Sequence, residues 1–217
     1  MREFVCRPTL GHLDKKLAGF KSEGCEIKVC YEATYLGYSL CRSLEKKGYF
    51  CEVIAPSLIP GMVGKRVKTD RIDCIKMADY YSNGQLTGVH VPSLAEERVR
   101  DLVRSRKFVM YQQSKFKLHI LSICRRSGIN FRENEENKNR NHWTQIHREW
   151  LQIQVKEEKN HEFSFNIGML LNQLRQIEET VSLYDAEIQQ LSERDQYKEQ
   201  VAALCCYRGI SVLTAMT

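Results

Sequence analysis

Ile167, Leu170, Leu174, Ile177, Val181, Tyr184, Ile188 and Leu191 recur three and four residues apart without a break. A run of this kind keeps one apolar stripe on one side of a helix for more than three heptads, and such a stripe must be covered by another helix. Two covers are open. One is an antiparallel hairpin with a second long helix of the same chain, and the other is a coiled-coil homodimer or higher assembly. The second helix is present from Ala95, where Leu102, Val109, Phe116 and Ile123 recur every seven residues, interleaved with Val99, Arg106, Gln113 and Ile120. Its surface carries Arg98, Arg100, Arg104, Lys107, Lys115 and Lys117, and Arg125, Arg126 and Gly128 close it. Residues 131–141 are polar and charge-mixed and read as a mobile connector. Trp143, Ile146, Trp150 and Ile153 then predict a short helix that tucks its indoles against a neighbour.

The first ninety-odd residues have another grammar. Leu10, Leu13, Leu17 and Phe20 predict a short amphipathic helix with Lys15 and Lys16 on its wet side. Ile27–Tyr31 alternates like a strand and ends at Glu32, Gly37–Lys47 reads as a helix, and Phe50–Ala55 as a second strand. Strand, helix and strand within so short a span form a βαβ unit with parallel neighbours, and Glu32 falls at the carboxyl end of its strand, the edge on which α/β sheets place their sites. Leu86–Val91 reads as a short closing strand before Pro92.

Between these elements lies a loop with two prolines and two glycines, a basic run of Lys65, Arg66 and Lys68, and a helix opened by Thr69. Thr69 suits an N-cap, and Asp70 and Asp73 complement the positive end of the helix dipole. Spacing i, i+3 puts both carboxylates on one face. Carboxylates beside several cations are an arrangement that a divalent metal and a phosphate backbone can share. They are equally what an ordinary acidic helix start and a solvated basic loop look like, and the spacing leaves both readings open.

Taken together, the motifs carry a resemblance. Tyr31-Glu-Ala, Gly37-Tyr, Ala55-Pro-Ser-Leu-Ile-Pro60, Arg66-Val-Lys-Thr-Asp-Arg-Ile-Asp73, Gly84-Gln-Leu-Thr87, Val91-Pro92, Arg100-Asp-Leu-Val-Arg-Ser-Arg106 and Tyr207-Arg-Gly-Ile-Ser-Val-Leu-Thr-Ala215 stand in one order. The chain resembles the insertion-sequence-one-ten transposases, which are similar to the pilin-inverting recombinases and carry a RuvC-like nuclease domain. The resemblance covers nearly the whole chain and is weaker between Phe131 and Asn166. It implies a fold class of α/β plus α: a partial RuvC/RNase H-like domain over 1–94, a helical coiled-coil region over 95–203, and the start of a C-terminal transposase domain over 204–217. It implies DNA transposition and recombination for a bacterial insertion sequence, with DNA and a structured guide RNA of the element as partners. Four acidic residues in the order Asp, Glu, Asp, Asp hold Mg²⁺ in the family. Glu32, Asp70 and Asp73 match the second, third and fourth, which makes them the expected catalytic and metal-binding residues. The family's first aspartate and its serine nucleophile have no match here, and neither Asp14 nor Ser211 stands in their place. The resemblance therefore implies a truncated copy that binds Mg²⁺ weakly and is inactive alone. The expected nucleic-acid contacts are Lys65, Arg66, Lys68, Arg71, Arg104 and Lys107.

Composition bounds the alternatives. Hydrophobic residues make up 42% and charged residues 28% of 217, which is globular rather than disordered. No apolar run is long enough for a membrane span and no signal-peptide pattern opens the chain, so the expected location is cytoplasmic. Nine cysteines, an odd number without CxxC pairs, read as reduced core thiols, with Cys30, Cys41, Cys51 and Cys74 in apolar settings. The histidines lack zinc-ligand spacing. Residues 1–130 carry net charge +10 and residues 131–217 carry −4, so a phosphate-bearing partner suits the first part. Two other functions stay open beside the transposase: a non-catalytic nucleic-acid-binding remnant, and a coiled-coil dimerisation remnant with no nucleic-acid role.

Overall fold

The computed structural model describes residues 3–33, 36–59 and 69–217, and the chain divides into two compact units, Met1–Pro92 and Ser93–Thr217. It is mostly helical with one small parallel sheet, an α-plus-β composition.

In the first unit, α1 (Leu10–Ser22) is started by Thr9, whose hydroxyl accepts from the His12 amide. Strands β1 (Lys28–Glu32) and β2 (Phe50–Ile54) pair in parallel, with Lys28 opposite Phe50 and Glu32 opposite Ile54. The crossover between them is α2 (Ser39–Glu45). Gly48, at φ +79°, makes the turn from α2 into β2 that a side-chain-bearing residue would strain. Period-two alternation divides the sheet. Cys51 and Val53 join Leu17, Cys41, Leu44 and Tyr49 in the core under α1 and α2, while Cys30 and Glu52 face the other side. There α3 (Asp70–Ser82) lies against the sheet, and the Tyr81 hydroxyl donates to the Glu52 carboxylate. Thr69 caps α3 by accepting from the Ile72 amide at 3.4 Å.

The expected closing strand over Leu86–Val91 is reduced to one antiparallel bridge between Ile54 and Gly88, with the Val89 amide donating to the Val53 carbonyl at 2.8 Å. The segment leaves the sheet edge at once, and its end is held elsewhere, by the Arg42 guanidinium on the Pro92 carbonyl at 2.7 Å. At the bridge, a Cβ on Gly88 would stand 2.7 Å from a Glu52 carboxylate oxygen, so a side chain there would push the Glu52 carboxylate aside.

The second unit is built on α4 (Leu94–Arg126) and α6 (His161–Ser192), with α5 (Gln145–Glu157), α7 (Asp195–Cys205) and α8 (Val212–Ala215) packed on them. Ser93 and Glu96 form a reciprocal capping box at the start of α4. Arg106 bonds Asp185 and Gln113 bonds Glu178, so residue numbers rise along one helix as they fall along the other, and the pair is antiparallel. The heptad stripe of α6 is therefore covered within the chain. One core gathers Ile120, Ile123 and Cys124 of α4 with Leu151, Ile167 and Leu174, and another gathers Val103 with Ile188, Leu191, Val201 and Met216. The last residues of the chain thus pack into the same unit as the long helices.

Three further expectations need correction. Residues 131–141 hold two short 3₁₀ turns, and Phe131, 2% exposed, is a buried anchor against His142, His147 and Trp150. A single aromatic in a polar run suffices to tie the segment down. In α5 the buried residues are His147 and Leu151, while Ile146 and Ile153 are 46% and 48% exposed. The buried face is set by the aromatic cluster before the helix, which rotates α5 away from the isoleucines. All nine cysteines are free, and Cys41, Cys51 and Cys124 are buried as expected, but Cys74 is exposed on α3. Among the described residues no helix is long and apolar enough to cross a membrane.

The rotated α5 is directly testable. Leu151→Ala removes a side chain 1% exposed and is expected to cost about 2–5 kcal/mol, whereas Ile153→Ala should cost under about 1 kcal/mol. Urea unfolding of both variants checks this; equal losses would return α5 to the phase that its isoleucines predict.

Candidate functional site

Glu32 ends β1 and shares its face with Cys30 by alternation, the face that α3 covers. Asp70 and Asp73 occupy the first turn of α3, where the dipole favours them. Asp70 is exposed, and Asp73 is half-buried with the Lys76 ammonium at 4.0 Å. The topology therefore places all three carboxylates on one side of the sheet but does not gather them: among the described residues, no group of three or more histidines, cysteines or acidic residues is close enough to hold a metal ion. Oxygen donors of this kind suit Mg²⁺, yet as placed they do not make one ligand set, and no chemical step is derived through a metal. Arg71 is exposed and pairs with Glu3 at 2.7 Å. Lys65, Arg66 and Lys68 lie outside the described residues. Arg104 and Lys107 are exposed on α4.

Asp14 and Ser211 have structural duties. Asp14 accepts from Lys47 at 2.8 Å and Tyr49 at 3.1 Å, and the Lys47 hydrogen bond holds its carboxyl below the usual range. Ser211 caps α8. An open groove of about 830 Å³ lies beside the sheet, lined by Phe4, Val29, Cys30, Phe50, Met77 and Tyr81 among others, and none of the three carboxylates lines it. Burial raises its Cys30 thiol to about 11, so the sulfur stays protonated and unreactive.

Two sites in the second unit escape sequence reasoning. Glu178 accepts from both terminal nitrogens of Arg148 at 2.9 and 2.6 Å and from Gln113 at 3.1 Å, and Lys117 stands 3.3 Å away. Burial alone would raise its pKa, but Arg148 and then Lys117 hold it below the ordinary value. Arg148 and Glu178 are thirty residues apart, and no local pattern links them. The other site is Trp143, at φ +69°, a left-handed conformation that side-chain-bearing residues rarely adopt. Its amide donates to Nδ1 of His147 at 3.0 Å and its carbonyl accepts from Nε of Arg148 at 3.3 Å. The cations of Lys117 and Arg148 stand 5.8 and 5.9 Å from its ring. Two side chains of the next helix thus satisfy the backbone of the strained residue. With Nδ1 accepting, the proton of His147 sits on Nε2, which is buried and meets no acceptor among the described residues.

No protein-family model matches the chain. Two curated relatives do. It is 31% identical over 206 residues, 94% of its length, to the transposase for insertion sequence element IS1533 of Leptospira borgpetersenii. It is 31% identical over 191 residues, 88% of its length, to the putative transposase y4qE of Sinorhizobium fredii. The chain is similar to insertion-sequence transposases. The matches take in 57% and 44% of those proteins, so the chain spans about half the length of the curated relatives it matches. Identity spread over so much of the chain takes in both units, the small sheet as well as the helical hairpin.

His147 gives this unit a pH response. Burial first, then the charges of His142 and Arg148, depress its pKa from 6.5 to about 4. A depressed histidine contributes stability that is whole above its unfolded pKa and is lost as pH falls toward the folded one, because the unfolded chain takes the proton first. Between pH 6.5 and 4, urea unfolding should show a loss approaching roughly 3 kcal/mol from this group. The difference between wild type and His147→Gln isolates it from carboxylate titration. A difference that does not change with pH would show that the buried imidazole is not the cause.

Proposed function

We propose that this chain is the RuvC-like and helical part of an insertion-sequence-one-ten transposase and that its biochemical role is to bind nucleic acid. The observation that carries the proposal is the 31% identity, over nearly the whole chain, to two proteins named as transposases. The geometry adds a parallel β1–β2 pair joined through α2, with Glu32 on the α3 side of the sheet and Asp70 and Asp73 on the first turn of α3. In this reading DNA and a structured guide RNA meet Lys65, Arg66, Lys68 and Arg71 in the first unit and Arg104 and Lys107 in the second. Arg71 must then exchange Glu3 for phosphate, an exposed pair that costs little to open.

The catalytic assignment of Glu32, Asp70 and Asp73 and their binding of Mg²⁺ belong to the same proposal. Mg²⁺ would supply charge stabilisation at a phosphodiester. The carboxylates would contribute oxygen ligands, and their separation in this chain means that it should bind Mg²⁺ weakly and cut nothing by itself. A homodimer through α6 is compatible with the fold, but the covered heptad stripe no longer requires one. The coiled-coil remnant without nucleic-acid binding is the competing reading.

One set of experiments decides between them. Anisotropy of a fluorescent DNA with the purified chain should show binding that weakens about a hundredfold between roughly 50 and 200 mM salt if some four phosphates are neutralised. Replacing Lys65, Arg66 and Lys68 by glutamine should flatten that dependence. No binding at low salt, or binding indifferent to salt, leaves only the coiled-coil remnant. Mg²⁺-dependent strand cleavage that Asp73→Ala abolishes would show that the separated carboxylates do act together.

A further inference from the structure

The basic residues of α4 fall into two populations. From Arg104 to Arg126 the helix contains seven Lys and Arg residues and no Asp or Glu. Arg106 and Lys117 face α6 and are neutralised there by Asp185 and Glu178. Arg104, Lys107 and Lys115 are exposed, and no described carboxylate pairs with them. At about 100° per residue Arg104 and Lys115 fall on the side of α4 opposite Arg106 and Lys117, and Lys107 lies between the two sides, about 80–100° from that pair.

The same outer side carries apolar bulk that a solvated helix face does not need. Phe108 is 63% exposed, Tyr111 55% and Leu118 64%. Together with the three cations they fill an arc of roughly 100°, running along it as Arg104, Phe108, Tyr111, Lys115 and Leu118, with the two rings between two cations and Lys107 at the edge. The Lys115 ammonium sits 5.0 Å from the centre of the Tyr111 ring. Scattered exposed hydrophobics are ordinary, but here two exposed rings are flanked on one helix face by cations that no described carboxylate pairs with.

A helix partner is a poor match for this face. It would have to desolvate three unpaired cations, and removing charges from water is costly unless each meets a carboxylate. A duplex offers phosphates to the cations but keeps its base faces stacked inside. A single strand offers both at once, phosphates for the cations and exposed base faces for the rings, which is how sequence-tolerant single-strand sites are built.

We propose that the outer face of α4, with Phe108 and Tyr111 as stacking platforms and Arg104, Lys107 and Lys115 as phosphate contacts, binds a single-stranded or unpaired segment of nucleic acid. The proposal rests on the nucleic-acid reading above and goes beyond it in naming the strand class and the rings. Phe108 and Tyr111 lie three residues apart, about 4.5 Å along the helix axis, so adjacent bases of a partly extended strand can each use one. Leu118 extends the apolar track by two further turns.

The test uses the whole chain and two fluorescent probes, an oligothymidine and a duplex of equal length. Wild type is expected to prefer the oligothymidine. Phe108→Ala combined with Tyr111→Ala should weaken oligothymidine binding tenfold or more and duplex binding less than about threefold. Lys107→Gln with Lys115→Gln should reduce the salt slope on the single strand by about 1.4, at about 0.7 per phosphate contact. Circular dichroism of each variant should match wild type, since every altered side chain is exposed. Unchanged oligothymidine binding by the aromatic variant overturns the proposal while leaving the broader reading intact, as does an equal loss on both probes. A wild-type dimer that the aromatic variant dissociates in sedimentation overturns it too, by assigning the face to a second copy. Absence of any binding by wild type defeats the broader reading and this one with it.

Discussion

Glu178 is the point at which three helices of the second unit are tied together. Its carboxylate takes the fork of Arg148 from α5 and the amide of Gln113 and ammonium of Lys117 from α4, while it is itself on α6. A half-buried carboxylate loses hydration, and one cation would barely offset that. Two cations, one of them bidentate, with an added amide reverse the sign, which is why the carboxyl lies below its ordinary value. The same Arg148 holds the carbonyl of Trp143, and Lys117 stands over that residue's ring. The strained entry into α5 and one crossing of the antiparallel α4–α6 pair therefore share one set of charges.

That dependence explains which parts of the fold were legible in the sequence. Helix α6 and its pairing with α4 are written in side-chain period, a local signal repeated over many turns. The βαβ unit is legible for the same reason: Val29 and Tyr31 alternate with Cys30 in β1, Cys51 and Val53 with Glu52 in β2, and the buried set follows. Helix α5 is not legible, because its orientation comes from Phe131, Trp143 and His147 meeting in space rather than from the spacing of its isoleucines. The 86–91 segment fails differently. Its apolar residues spell a strand, but one bridge at Gly88 is all that the sheet edge accepts before Arg42 draws Pro92 away.

The candidate acidic site divides along the same line. The N-cap at Thr69 and the acidic first turn of α3 are local chemistry, and the structure has them where spacing puts them. Convergence with Glu32 is a long-range property, and the three carboxylates share a side of the sheet without closing into a ligand set. The absence of any fully buried residue in α3 bears on this. A helix held to its sheet by half-buried contacts and by Tyr81 on Glu52 has little apolar area fixing its first turn. Few buried apolar contacts mean a low cost of local adjustment of this helix.

Charge on α4 supplies the last step. A helix free of acidic residues over its last 23 positions accumulates self-repulsion that a merely soluble surface avoids by mixing signs. Two of its cations are absorbed by α6, and those two are the ones the hairpin needs. Among the described residues no carboxylate pairs with Arg104, Lys107 or Lys115 on the outer face. The fold makes the helix antiparallel to an acidic partner on one side and leaves the other side positively charged and ringed with aromatics. On the single-strand proposal, phosphate-bearing strands rather than a third helix cover that outer face.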